Sequence, residues 1–183
     1  MRRLHFISQP VETAMAQKLV YQIKRKYPKF MDAENTLMLT VSPDFSGIAS
    51  TIISHGLSTQ GVAMYSDSIH VPDPGEDPEF YKERLRDTWK HISANYDGSK
   101  YTKFILCEAG VISGRNYGWL VDELVSLGVQ YDNILTVSLF ENAHSIFKCD
   151  LVGDYYDNEV QDLCFWWEQP NKAFGDYSEQ ESI

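Results

Sequence analysis

The chain lacks any run of the roughly 18 to 20 uninterrupted apolar residues that a membrane-spanning helix needs, and Met1-Arg2-Arg3 leads into a mixed segment without the apolar centre of a signal peptide. The expectation is a cytoplasmic protein with no membrane partner. Cysteine is scarce as well: Cys107, Cys149 and Cys164 are odd in number and form no CxxC pair, which argues against a disulfide framework or a cysteine zinc site and for buried thiols. Positive charge is short, with 16 Lys plus Arg against 26 Asp plus Glu and a formal net charge of −10, so bulk nucleic-acid binding is excluded. The basic residues that do cluster, Lys24-Arg25-Lys26 with Lys29 and those between Lys82 and Arg86, read as solvated helix faces. Internal repeats and low-complexity stretches are missing too.

What remains is a chain of 183 residues, 43% hydrophobic and 23% charged, sized for one domain with a real core. Val11, Met15, Leu19 and Ile23 recur at i+4 steps and predict an amphipathic helix over residues 10–27, closed by Pro28. Leu37-Met38-Leu39-Thr40-Val41 reads as a buried strand, Ser42-Pro43-Asp44-Phe45-Ser46-Gly47 as a loop, residues 48–55 as a short helix, and Gly61-Val62-Ala63-Met64-Tyr65 as a second strand. Residues 67–98 form an insert, in which Asp77-Pro78 opens a helix striped with Tyr81, Leu85, Trp89 and Ile92. Its acidic residues Asp67, Asp73, Glu76, Asp77 and Glu79 read as a solvated loop. Phe104-Ile105-Leu106-Cys107 and residues 134–140 are two more buried strands, joined by a loop over 108–117 and a helix over 117–127. Asp154-Tyr155-Tyr156-Asp157 reads as a turn, Leu163-Cys164-Phe165-Trp166 as an edge or hood strand, and residues 169–183 as a polar tail. Strand, helix and strand joined by short loops give an α/β fold with a parallel central sheet flanked by helices.

In such a sheet, ligands bind beyond the carboxyl ends of the strands. Two loops leave those ends for helices: the one ending Ser46-Gly47, and Glu108-Ala109-Gly110-Val111-Ile112-Ser113-Gly114-Arg115-Asn116. A glycine turn opening a helix lets backbone N–H groups converge on an anion, and Ser113, Arg115 and Asn116 add donors. The second loop is therefore a candidate phosphate cradle.

Residues 104–128 resemble the signature of the type I phosphoribosyltransferases, in which a hydrophobic strand ends in two acidic residues and is followed by Thr-Gly and a helix. Glu108 and Ala109 fall on the acidic pair, and Ser113-Gly114-Arg115-Asn116 on the phosphate turn. Residues 150–168, with Asp154-Tyr155-Tyr156 and Leu163-Cys164-Phe165-Trp166-Trp167-Glu168, are similar to the C-terminal run of the xanthine and guanine branch, with Trp166 in place of a proline. Ser46-Gly47 resembles the pyrophosphate loop, with Phe45 where that loop usually carries a basic residue. The resemblance implies a phosphoribosyltransferase-like fold with a small C-terminal hood over residues 150–168, and a ligand that is phosphoribosyl pyrophosphate or a nucleotide. It implies that Glu108 holds the ribose hydroxyls and a magnesium ion. Ser113, Gly114, Arg115 and Asn116 would hold the 5′-phosphate, Ser46 and Gly47 the pyrophosphate, and Tyr155, Tyr156, Leu163 and Phe165 would cover the base. If catalytic, the protein would join a purine-like base to the ribose. Ala109 in place of the second carboxylate, and Ile112 where purine-specific members carry an aspartate, leave a non-catalytic nucleotide-binding or protein-interaction module as the alternative. A homodimer is compatible with the resemblance.

Plainer readings stand beside these. Tyr155 and Tyr156 suit packing as well as stacking, and Trp166 and Trp167 point to opposite sides of an extended segment. The histidines, among them His55, His70, His91 and His144, share no i, i+4 spacing and receive no catalytic role. Cys107 reads as core.

Overall fold

The computed structural model describes residues 3–41, 43–58, 63–69, 79–80, 82–84, 86–87, 90 and 101–166, the side chains of 43–46 excepted. In chain order they form β1 (Arg3–Ile7), α1 (Gln9–Lys26), β2 (Thr36–Val41), α2 (Pro43–Leu57), β3 (Ser66–Ile69), β4 (Lys103–Val111), α3 (Arg115–Ser126), β5 (Ile134–Asn142), β6 (Leu151–Tyr156) and β7 (Gln161–Phe165). β3, β2, β4, β5 and β6 lie side by side in that order as a five-stranded sheet, and every adjacent pair is parallel. β1 pairs in parallel with β7 in a separate two-stranded sheet, with Arg3 beside Gln161 and Ile7 beside Phe165.

The central strands are buried along their length because helices cover both faces, and this is why β2 and β5 read as nearly continuous apolar runs. On one face α1 and α2 bury Ala16, Leu19, Ile23, Ala49, Ile53 and Leu57 against Met38, Ile105, Cys107 and Val137. On the other, Tyr117, Leu120, Val121 and Leu124 of α3 cover Leu37, Leu39, Phe104 and Leu106. The expected fold class is the one observed. No helix among the described residues is long and apolar enough to cross a membrane.

Several boundaries move. α1 turns its Glu12, Ala16, Leu19 and Ile23 track inward, while Val11 is exposed, so the buried stripe is rotated from the one expected and carries a carboxylate. α2 starts at Pro43, which puts Ser46-Gly47 in its first helical turns rather than in a loop. The second strand is Ser66–Ile69, just past the apolar run 61–65. Among the described residues it has a single neighbour, β2, and pairs through backbone groups, so it needs no apolar sequence. The Asp154-Tyr155-Tyr156 turn is instead the end of β6, the opposite edge. β4 runs on through Glu108 to Val111, and α3 begins two residues earlier than expected. β1 was not foreseen. Of the insert, residues 79–80, 82–84, 86–87 and 90 are helical, and Lys82 reaches Glu79 at 2.8 Å and Glu123 of α3 at 3.6 Å. Its cap at Asp77-Pro78, the stripe residues Tyr81, Leu85, Trp89 and Ile92, and Trp167 with the tail lie outside the described residues.

Candidate functional site

Strand order reverses between β2 and β4, since β3 lies beyond β2 on one side and β5 beyond β4 on the other. That switch point is where an open parallel sheet takes its ligand. α2 and α3 both start there, at the carboxyl ends of β2 and β4.

The turn between β4 and α3 is built around Gly114. Its φ of +73° lies in the left-handed region, and a Cβ there would stand 2.3 Å from Ser145 Oγ, 2.7 Å from Phe147 Cβ and 2.9 Å from the Phe147 nitrogen. Only glycine fits. The β5–β6 connection braces the turn from outside: Asn142 Nδ2 donates to the Ile112 carbonyl at 3.0 Å, and the Ile146 N–H to the Ser113 carbonyl at 2.9 Å. Asn142 Oδ1 in turn accepts the N–H of His144 at 3.2 Å and of Asn158 at 3.3 Å. Tyr117 holds α3 to the sheet, donating its buried hydroxyl to the carbonyls of Val137 at 2.7 Å and Leu106 at 3.3 Å and stacking on Phe147. Ser113 Oγ accepts the Arg115 N–H at 3.3 Å, and the Gly118 N–H goes to the Gly114 carbonyl at 3.1 Å. The N–H groups of Asn116 and Tyr117 lie between these two and have no partner among the described residues. At the positive end of the helix, with Ser113 and Arg115 exposed beside them, they are suited to an anion.

Glu108 lies on β4 opposite Ser138 of β5. Side chains alternate along a strand, so Glu108 shares the α3 face with Phe104 and Leu106, while Cys107 and Ala109 face α1 and α2. Its carboxyl is half-buried and has no hydrogen bond or ion pair among the described residues; burial pushes its pKa up to about 8. Near neutral pH it is mostly the neutral acid, able both to donate to and to accept from a sugar hydroxyl. Magnesium is commonly held by one or two carboxylates plus substrate phosphates. Glu108 fits the part of a single carboxylate toward an ion that arrives on a diphosphate, whereas Ala109 beside it supplies no second carboxylate.

The remaining expected site residues do not share one environment. Ser46 and Gly47 sit at the start of α2, where the Gly47 carbonyl accepts Ser50 Oγ at 3.2 Å and Thr51 Oγ1 at 2.6 Å, and the Ser46 side chain lies outside the described residues. Tyr155 is 59% exposed. Tyr156 is buried with its hydroxyl toward the Val111 carbonyl at 3.5 Å, its pKa pushed up to about 12 by burial first and by Glu108 and Asp162 after it. Phe165 is buried edge-on against Phe140, with ring centroids 5.9 Å apart, and Leu163 is half-buried beside the same cluster. Cys107 is core: burial, Glu108 and Glu12 together hold its thiol far above the ordinary range. Sequence reasoning missed Asn142 and Tyr117, which set the turn. An Asn closing an apolar strand and an aromatic in the first turn of the next helix were the available signals. It also missed Glu12, hidden by its polarity on a buried helix track.

The chain thus carries a glycine-locked turn and a half-buried glutamate near the switch point of an open parallel α/β sheet. No family model matches the chain, and no curated protein matches it in sequence. Solved structures do. A purine phosphoribosyltransferase from Pyrococcus horikoshii is similar at a TM-score of 0.61 and 11% identity, over 91% of this chain and 94% of that one. The xanthine-guanine-hypoxanthine phosphoribosyltransferase of Helicobacter pylori gives 0.59 and 13%, over 95% and 98%. A hypothetical protein from Neisseria gonorrhoeae with bound ppGpp gives 0.62 and 9%, over 95% and 94%. The chain has the fold of the type I phosphoribosyltransferases.

Proposed function

We propose that the protein binds a phosphorylated ribose, as a purine nucleotide or as phosphoribosyl pyrophosphate, at the carboxyl ends of β2 and β4. The observation that carries this reading is the Gly114 turn, locked by packing, with two adjacent N–H groups at a helix start that have no partner among the described residues. The 5′-phosphate sits on Ser113, Gly114, Arg115 and Asn116, and Glu108 meets the ribose hydroxyls. In this reading Ser46 and Gly47, at the start of α2, would take the pyrophosphate, and Tyr155, the exposed tyrosine of the expected hood, would meet the base. The similar structures support the ligand class, since the named relatives act on purines and one holds ppGpp.

Binding without turnover is the reading the site favours. Ala109 is buried and offers no carboxylate, and Ile112, 61% exposed at the mouth of the turn, offers no proton acceptor. Losing a hydrogen bond to a charged group costs about 1.5 to 3 kcal/mol, which weakens a transition state more readily than it abolishes a complex. The second reading, phosphoribosyl transfer to a purine-like base with magnesium on the diphosphate, predicts pyrophosphate release. Thermal unfolding with nucleoside monophosphates, ppGpp, phosphoribosyl pyrophosphate and free bases, each with and without magnesium, separates the two. Stabilisation by a nucleotide that needs no magnesium is the expected outcome. A magnesium-dependent shift with phosphoribosyl pyrophosphate followed by pyrophosphate release establishes the second reading, and no shift with any ligand refutes both.

A further inference from the structure

The β5–β6 connection and the residues after β6 bring together three side chains that the nucleotide reading does not use. His144, Asp157 and Glu159 each present a ligand atom, and these atoms all lie within 4.8 Å of one another. We propose that they form a binding site for a divalent transition cation of the zinc, cobalt or nickel type.

The donor set is one imidazole nitrogen and two carboxylates, the composition that suits borderline cations and is poorly matched to magnesium, which prefers oxygen alone. Geometry points the same way. His144 Nε2 stands 3.4 Å from Asp157 Oδ1, longer than an ordinary N–H···O hydrogen bond of about 2.7 to 3.2 Å. Two donors each bonded to a tetrahedral cation at about 2.0 to 2.1 Å stand roughly 3.3 Å apart, so the observed separation is close to one edge of such a site. Charge is unbalanced: among the described residues no lysine or arginine pairs with Asp157 or Glu159, and the nearby Lys148 is taken up by Glu141 at 3.1 Å and the Ala143 carbonyl at 3.0 Å. The backbone is already in place, because Asn142 Oδ1 fixes the N–H groups of both His144 and Asn158, and the Ala143 N–H donates to the Tyr156 carbonyl at 2.7 Å. Asp157 Oδ1 accepts the Glu159 N–H at 2.8 Å, an Asx turn that sets the path of the chain between the two carboxylates. His144 and Glu159 are exposed and Asp157 is partly so, which leaves room for water to complete the coordination.

The test uses the full chain stripped with EDTA and titrated calorimetrically with zinc, and with cobalt followed by visible absorption. One equivalent is expected to bind, with magnesium in large excess failing to displace it. His144→Ala and Asp157→Asn should each weaken binding roughly tenfold or more, while His55→Ala, at the far end of α2, leaves it unchanged. Asp157→Asn keeps a side-chain acceptor for the Glu159 N–H, so circular dichroism and the melting temperature without metal should match the unsubstituted chain. The three cysteines are buried and do not compete. Zinc binding that survives both substitutions, or no binding by the unsubstituted chain, overturns the proposal, whatever nucleotides do at the Gly114 turn.

Discussion

Replacing Gly114 with alanine tests the architecture of the turn directly. Two costs add. A left-handed backbone costs a residue with a Cβ about 1 to 2 kcal/mol. The new methyl must also push aside Ser145 Oγ at 2.3 Å and Phe147 Cβ at 2.7 Å, and the Phe147 backbone nitrogen at 2.9 Å, which cannot swing away as a side-chain tip can. Overpacking of this kind costs about 1 to 3 kcal/mol, giving roughly 2 to 5 kcal/mol in all. Gly128 supplies the control, because it also has a positive φ, +97°, but none of the described residues lies within 4 Å of its Cβ position. Gly128→Ala should therefore pay the backbone cost alone. Urea unfolding of both variants at one pH reads the difference, with about 1 to 3 kcal/mol more lost at position 114. Equal losses would refute the claim that Ser145 and Phe147 lock the turn, and a Gly114→Ala loss below about 0.5 kcal/mol would refute the left-handed geometry as well.

Glu108 gives a pH signature. Its folded pKa is raised to about 8 from 4.5, so the unfolded chain sheds this proton first and stability falls as pH rises between those values. Glu108→Gln should remove about 2 to 4 kcal/mol of that decline, after discount for partial exposure, when denaturation at pH 5 is compared with pH 8.5; an unchanged decline counts against the buried carboxyl. Tyr117→Phe, which strips the hydroxyl from the Val137 and Leu106 carbonyls, should cost about 1 to 2 kcal/mol in the same assay, and a neutral result would mean α3 is not held by that bond. Trp166 Nε1 donates to Glu12 Oε2 at 2.8 Å, tying the end of β7 to α1, while Glu12 Oε1 is buried without a partner among the described residues. Burial raises the Glu12 pKa and the indole hydrogen bond opposes it, so Trp166→Phe should destabilise by about 1 to 3 kcal/mol, and more at pH 8 than at pH 5, where the acid is closer to neutral. A loss independent of pH would assign the effect to packing alone.

Legibility followed burial. β2, β4 and β5 lie inside the sheet, covered on both faces, and their sequences are apolar runs that can be read directly. The two misplaced strands are its edges. Among the described residues, Ser66-Asp67-Ser68-Ile69 and Leu151-Val152-Gly153-Asp154-Tyr155-Tyr156 pair through backbone groups on one side only, so their side chains are free to look like turns. β1 escaped notice because its partner is β7, more than 150 residues away in sequence. The glycine turn into α3 was legible from Ser113-Gly114-Arg115-Asn116, because the glycine requirement is local. What braces it was not, since Asn142, Ser145 and Phe147 arrive from the next connection. His144, Asp157 and Glu159 were invisible for the same reason: a spacing rule made for one helix does not find ligands drawn from two segments.

Calorimetric titration of the chain with guanosine 5′-monophosphate and with guanosine asks whether a phosphate rests on the turn at the start of α3. One or two charge-assisted hydrogen bonds to the unpartnered N–H groups are worth about 1.5 to 3 kcal/mol each, so the nucleotide should bind at least tenfold tighter than the nucleoside. Equal affinities, or a nucleoside preference, would contradict the account.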